Sequence, residues 1–179
     1  MEHWTTQPRE PKGSGKGGQW KSDKLEAAER IYDSKYASGV KMTHDEEENI
    51  PVTVLNEKIS NILEGKYGML NNDVIILKSR YETHIKTGMN SHRNIYDHIK
   101  NDLGEYINNP DYIFEDTKNK NTVLFVSKVK QPSIFDNADI VIKLNCEQKE
   151  YSNTILTIID LGNNRLENFK NNKKIVYKK

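Results

Sequence analysis

The sequence predicts an α+β fold: two to three helices packed on a small antiparallel sheet of about four to five strands, preceded by a flexible N-terminal arm. Three observations carry this. Helix-spaced apolar residues occupy the middle of the 179-residue chain, and strand-length apolar runs separated by polar turns fill its last third. The glycines and prolines crowd toward the front, where PREPKGSGKGG holds two of the five prolines and four of the ten glycines. Such a stretch buries almost nothing, so residues 1–22 read as a flexible arm.

Residues 23–69 read as an N-terminal extension. DKLEAAERIYDSKYA (23–37) places Leu25, Ala28, Ile31 and Tyr32 near helical spacing, with Asp23 as N-cap. HDEEEN (44–49) reads as a solvated acidic loop, IPVTVL as a strand, and NEKISNILEGKYG as a short helix ending at Gly65 or Gly68. From residue 70 the pattern is firmer. VIIL (74–77) has strand length, and Ser79 with Glu82 has the spacing of a capping box, predicting a helix that carries His84 and Ile85. Ser91 is the expected start of a second helix whose buried face is Ile95, Ile99, Leu103, Tyr106 and Ile107, stopped by Asn109-Pro110. Strands are expected at 121–130, 139–146 and 153–161, then a helix over 164–171 and a closing strand at 174–178. With helices on one face of the sheet, the other face must be open or used.

Composition excludes several classes. Charged residues make up 30% of the chain and mean hydropathy is −0.84. No run approaches the roughly 18 apolar residues of a membrane span, and MEHWTTQPRE lacks the apolar core of a secretory signal. A single cysteine, Cys146, excludes a disulfide framework and a Cys-based zinc site within these residues. The formal net charge of +1 divides unevenly: residues 1–69 carry 10 Lys+Arg against 12 Asp+Glu, and residues 70–179 carry 17 against 14. The basic excess lies in the last twenty residues, where Arg165, Lys170, Lys173, Lys174, Lys178 and Lys179 face only Asp160 and Glu167.

Three histidines fall within fifteen residues, His84, His92 and His98, but not in the i, i+4 register of a zinc pair, so neither a metal nor a cofactor is expected. His84 lies two residues before Lys86, whose charge favours a neutral imidazole; the plainer alternative is that both sit on a solvated helix face. In SNTILT, alternation puts Asn153 and Thr157 on one strand face and Thr154 on the other. Threonine suits strands, but asparagine is depleted in them. Lys143 interrupts an apolar run, where it either snorkels to the sheet edge or serves an anionic ligand. One histidine, one lysine, hydroxyls and amides, without paired carboxylates, suit metal-independent RNA cleavage. In that chemistry a base takes the 2′-OH proton, a cation and hydroxyls stabilise the phosphorane, and the product is a 2′,3′-cyclic phosphate.

The run from about Val74 to Lys179 also resembles a phage-associated nuclease family of the barnase/EndoU/colicin/RelE-like (BECR) fold. The matching pieces, in order, are the His-Ile of ETHIK, NNPDYIFED with a Lys/Asn-rich turn, TVLFVSK, VIKL, YSNTILT and KKIVYKK. The resemblance implies an active site drawn from His84, Lys143, Asn153 and Thr157, with Lys86, His92, Thr154 and Tyr177 as accessory candidates. Where that family more often has Asn-Ser, this chain has Asn153-Thr154, which keeps the hydroxyl. Tyr177, at the family's terminal aromatic position, would stack on a base or pack on the core. Lys170, Lys173, Lys174 and Lys178 would grip the RNA backbone. Separately, REPKGSGKGGQWKS resembles the Gly-rich segment near the C-terminus of phage head-morphogenesis proteins. Together these imply a phage effector or toxin acting on structured RNA such as tRNA, virion-associated or in the host bacterial cytoplasm. Its partners would be head components or an immunity protein. The alternative is a non-catalytic virion module that keeps the nuclease fold.

Overall fold

The computed structural model describes residues 49–85, 94–146 and 152–179. The arm at 1–22, the helix read at 23–37, the acidic run up to Glu48, Lys86, the Ser91 helix start, His92 and the EQKE turn lie outside the described residues. What is described is α+β, and its sheet has seven strands rather than four or five.

The chain enters on β1 (Asn49–Val54) and α1 (Glu57–Tyr67), then forms β2 (Asp73–Leu77). Asn56 caps α1, its side chain accepting from the Ile59 N–H at 2.9 Å. Gly68 ends the helix at φ +91°, a backbone conformation that an L side chain rarely adopts, and its N–H donates to the Glu64 carbonyl. A short helix α2 (Lys78–Arg80) follows with Leu77 at its N-cap position, so it starts one residue before the expected Ser79 cap and contains Ser79. It loosens at once into a π turn, Tyr81–Ile85. Asn94 caps α3 (Ile95–Ile99), its side chain accepting from the Tyr96 N–H. A 3₁₀ turn (Lys100–Asp102) then leads into α4 (Leu103–Asn108), which stops before Pro110. The strands β3 (Tyr112–Glu115), β4 (Thr122–Lys128), β5 (Asn137–Lys143) and β6 (Asn153–Leu161) come next, then α5 (Asn163–Asn172) and β7 (Ile175–Lys178).

The strand order is β1-β2-β6-β5-β4-β3-β7. Every pairing is antiparallel except β2 with β6. Strand β3 was not among the expected strands; its four residues YIFE sit directly behind the helix stop. Strand β1 and helix α1, assigned by sequence to an extension, belong to this sheet and its core: β1 pairs with β2, and Ile59 and Leu63 of α1 are fully buried. The Asn108 side chain ties α4 to this corner, accepting from the Asn56 N–H at 2.7 Å and donating to the Val54 carbonyl at 2.9 Å.

Both sheet faces are covered. On the first, α1, α3 and α4 pack Ile59, Leu63, Ile99, Leu103 and Ile107 against Val74, Ile113, Phe125, Ile140 and Ile155. On the second lie Phe114, Leu124, Val126, Val141 and Leu161, with Phe169 of α5. Burial on both sides explains why β4 and β5 read as near-continuous apolar runs and not as alternating ones. The expected open face is thus partly roofed by α5. Its β6 margin, with Leu156, Thr157 and Ile159, stays half-exposed.

Candidate functional site

His84 lies in the π turn after β2 and is half-buried, next to Ile85, which is anchored in the core. The π turn packs against β6, so the histidine and the SNTILT strand share one neighbourhood.

Within β6 the expected alternation does not hold. Thr157 is opposite Val141, but the next partners are Ile155 and Ile142, so Leu156 is the extra residue of a β-bulge. The bulge shifts the side-chain phase. Thr157 joins Val141 on the second face, while Ile155 belongs to the first-face core, and Asn153, two residues before Ile155, follows it. Asn153 and Thr157 therefore do not share a face.

Asn153 is 0% exposed and its amide is fully engaged. Nδ2 donates to the carbonyls of Asn71 (2.6 Å) and Asp73 (3.2 Å), and Oδ1 accepts from the Asn145 N–H (3.1 Å). It closes the junction between the parallel β2–β6 pair and the end of β5, backbone that a regular ladder leaves unsatisfied. Thr154 is fully buried opposite Lys143, which in turn is opposite Thr122, a polar row across β6, β5 and β4. The Lys143 ammonium donates to the Lys120 carbonyl in the turn before β4.

The C-terminal cations divide by their surroundings. Lys170 is held by Glu167 one turn earlier and lies 5.3 Å from the Tyr112 ring centroid. Lys174 lies 4.0 Å from Glu115, whose closer partner is Lys66 at 2.8 Å. The hydrogen bond from Lys66 holds the Glu115 carboxyl below the usual range and raises Lys66 in turn. Lys178 is exposed on β7, in register with Tyr112. Tyr177 packs at the margin of the first core, and its hydroxyl accepts from Lys58 at 2.8 Å. Lys173 and Arg165 differ from the rest. Their cationic groups lie 4.8 Å and 5.8 Å from the ring centroid of one residue, Phe169. Neither ion-pairs with a carboxylate among the described residues.

Beneath this helix is Asp139, which sequence reasoning passed over. It is 3% exposed, and its Oδ1 has no hydrogen-bond partner. It shares a sheet row with Val126 and Ile159, apolar neighbours that cannot solvate a charge. Burial pushes its carboxyl up to about 7, against the opposing pull of Arg165 and Lys173, while Asp116 adds to the rise. An aspartate inside ADIVI was as legible a signal as Lys143 in the same strand; what could not be read was the face it occupies. The start of α5 is pinned nearby, with Asn137 Nδ2 donating to Asn163 Oδ1 and the Leu161 carbonyl, each at 3.0 Å.

The structure therefore gathers Thr157, Asp139, Arg165, Lys173 and the ring of Phe169 on the second face, with Thr154 and Lys143 in a polar row farther along that face, and places Asn153 on the first. Among the described residues, no group of three or more His, Cys, Asp or Glu is arranged to hold a metal ion, and no helix is long and apolar enough to cross a membrane. Comparison with protein-family models, curated proteins and solved structures returns no match to this chain.

Proposed function

We propose that this protein is a metal-independent endoribonuclease that cleaves structured RNA, tRNA among the candidates, by 2′-OH attack to a 2′,3′-cyclic phosphate. The reading makes it a phage-encoded effector. The observation that carries it is the cationic and aromatic surface of α5: Arg165 and Lys173 on Phe169, and Lys170 over Tyr112, along a half-open sheet face. Cations attract the phosphate backbone, and cations seated on rings are less hydrated and better placed for close contact. His84 would move the proton as general base or acid. Thr157 is the hydroxyl available to the phosphate, whereas Asn153 serves the architecture. Lys143 would stabilise phosphorane charge.

The test is incubation of the purified protein with total RNA in EDTA, with the ends analysed for cyclic phosphate. Cleavage with such ends is expected, and His84→Ala should abolish it without lowering the melting temperature. Undiminished cleavage by that variant removes His84 from the mechanism. A second reading, a non-catalytic virion module, draws support from Asn153 and Lys143 being held by backbone groups. It predicts no RNA turnover at any enzyme excess, and co-purification with head components.

A further inference from the structure

We propose that the seam between α5 and the second sheet face is a phosphodiester-binding site, in which Arg165 and Lys173 hold the phosphate and the Asp139 carboxyl hydrogen-bonds one of its oxygens. This rests on the RNA reading above and names the group that the cationic face takes.

Three observations converge. Asp139 is buried with an unpartnered oxygen, and an orphaned polar atom in an apolar row is costly unless something answers it. Two cations one turn either side of Phe169 approach the same ring, and no described carboxylate neutralises either. The β6 margin beside them, Leu156, Thr157 and Ile159, is half-exposed, which leaves an approach from solvent next to Asp139's cross-strand neighbour Ile159. A metal cation does not suit a seam flanked by two positive charges. A phosphodiester does: it is a monoanion whose two free oxygens can meet Arg165 and Lys173.

Protonation then decides occupancy. The charged and titratable groups around Asp139 are Arg165 of α5, Lys173 at its C-cap, Asp116 from the turn after β3, and Tyr112 in the same sheet row on β3. Val126 and Ile159 on the flanking strands carry no charge. The neutral carboxyl donates to phosphate, and the ionised one repels it. With the carboxyl titrating at about 7, a ligand that needs the neutral form loses about tenfold in affinity between about pH 6 and pH 8.

The experiment is fluorescence anisotropy with a fluorescein-labelled 2′-O-methyl oligoribonucleotide. It cannot be cleaved by 2′-OH attack, and its phosphates do not titrate in this range. Wild-type protein should bind about tenfold more weakly at about pH 8 than at about pH 6. Asp139→Asn, which is neutral throughout and still offers a donor, should bind with little pH dependence. Arg165→Gln should weaken binding about tenfold at both values. Melting temperatures of both variants confirm that they are folded. If the oligonucleotide binds but Asp139→Asn keeps the wild-type pH dependence, or Arg165→Gln binds as wild type does, the site is wrong while RNA binding stands. If wild-type protein binds nothing at either pH, the RNA reading fails and the site falls with it.

Discussion

Replacing Asp139 with asparagine tests the energetic reading of the second face without any ligand. The carboxyl titrates at about 7 in the folded protein against an ordinary value of 3.8. Between those values the native state holds a proton that the unfolded chain has released, so stability falls as pH rises. At about 1.4 kcal/mol per pH unit, the full penalty is roughly 4 kcal/mol, and roughly 3 kcal/mol of it develops between about pH 5 and pH 8. Asparagine cannot ionise, so the variant lacks this component. It does bury an amide beside the same apolar neighbours, at a cost of about 1–3 kcal/mol that does not vary with pH. The variant should therefore be no more stable than wild type near pH 5 and should overtake or approach it near pH 8. Urea denaturation of both proteins at the two pH values measures this, and the other titrating groups cancel in the comparison. Parallel pH profiles would refute the claim that Asp139 is neutral in the native state at pH 5–6.

Two further changes separate architecture from chemistry. Asn153→Ala strands the Asn71 and Asp73 carbonyls and the Asn145 N–H, and should cost roughly 3 kcal/mol by urea denaturation; a folded variant of unchanged stability but lost RNA cleavage would make Asn153 catalytic after all. Phe169→Ala removes the ring that meets Phe114 edge-on at 5.7 Å and should cost about 3–5 kcal/mol in the same assay; a loss under 1 kcal/mol would mean that α5 is not held to the sheet by this contact.

Much of the fold was legible because its causes are local. Asn56 and Gly68 bracket α1 through cap chemistry that depends on neighbouring backbone, and Asn109-Pro110 ends α4 for the same reason. The Ser79 cap was misplaced by two residues, since Leu77 leaves its strand directly into the helix. Strand β3 was missed because YIFE gains its strand character from pairing on both sides, with β4 and with β7, and β7 is remote in sequence.

The candidate site was legible in residue type and illegible in arrangement. Asn153 was marked as anomalous in a strand, and it is; the reason is three backbone hydrogen bonds at a parallel junction, which no spacing rule contains. A single extra residue, Leu156, put Asn153 and Thr157 on opposite faces, because a strand's side-chain period of two turns any one-residue slip into a change of side. By itself, then, the sequence determined the α+β class, most of the elements and the basic C-terminal helix. These follow from periodicity, capping and composition, which act over a few residues. Tertiary structure alone decided that the sheet has seven strands, that α5 roofs its second face, and that Arg165 and Lys173 come to lie over a buried Asp139. Those facts depend on which strands pair and on how far water is excluded between layers, and both are properties of the assembled chain.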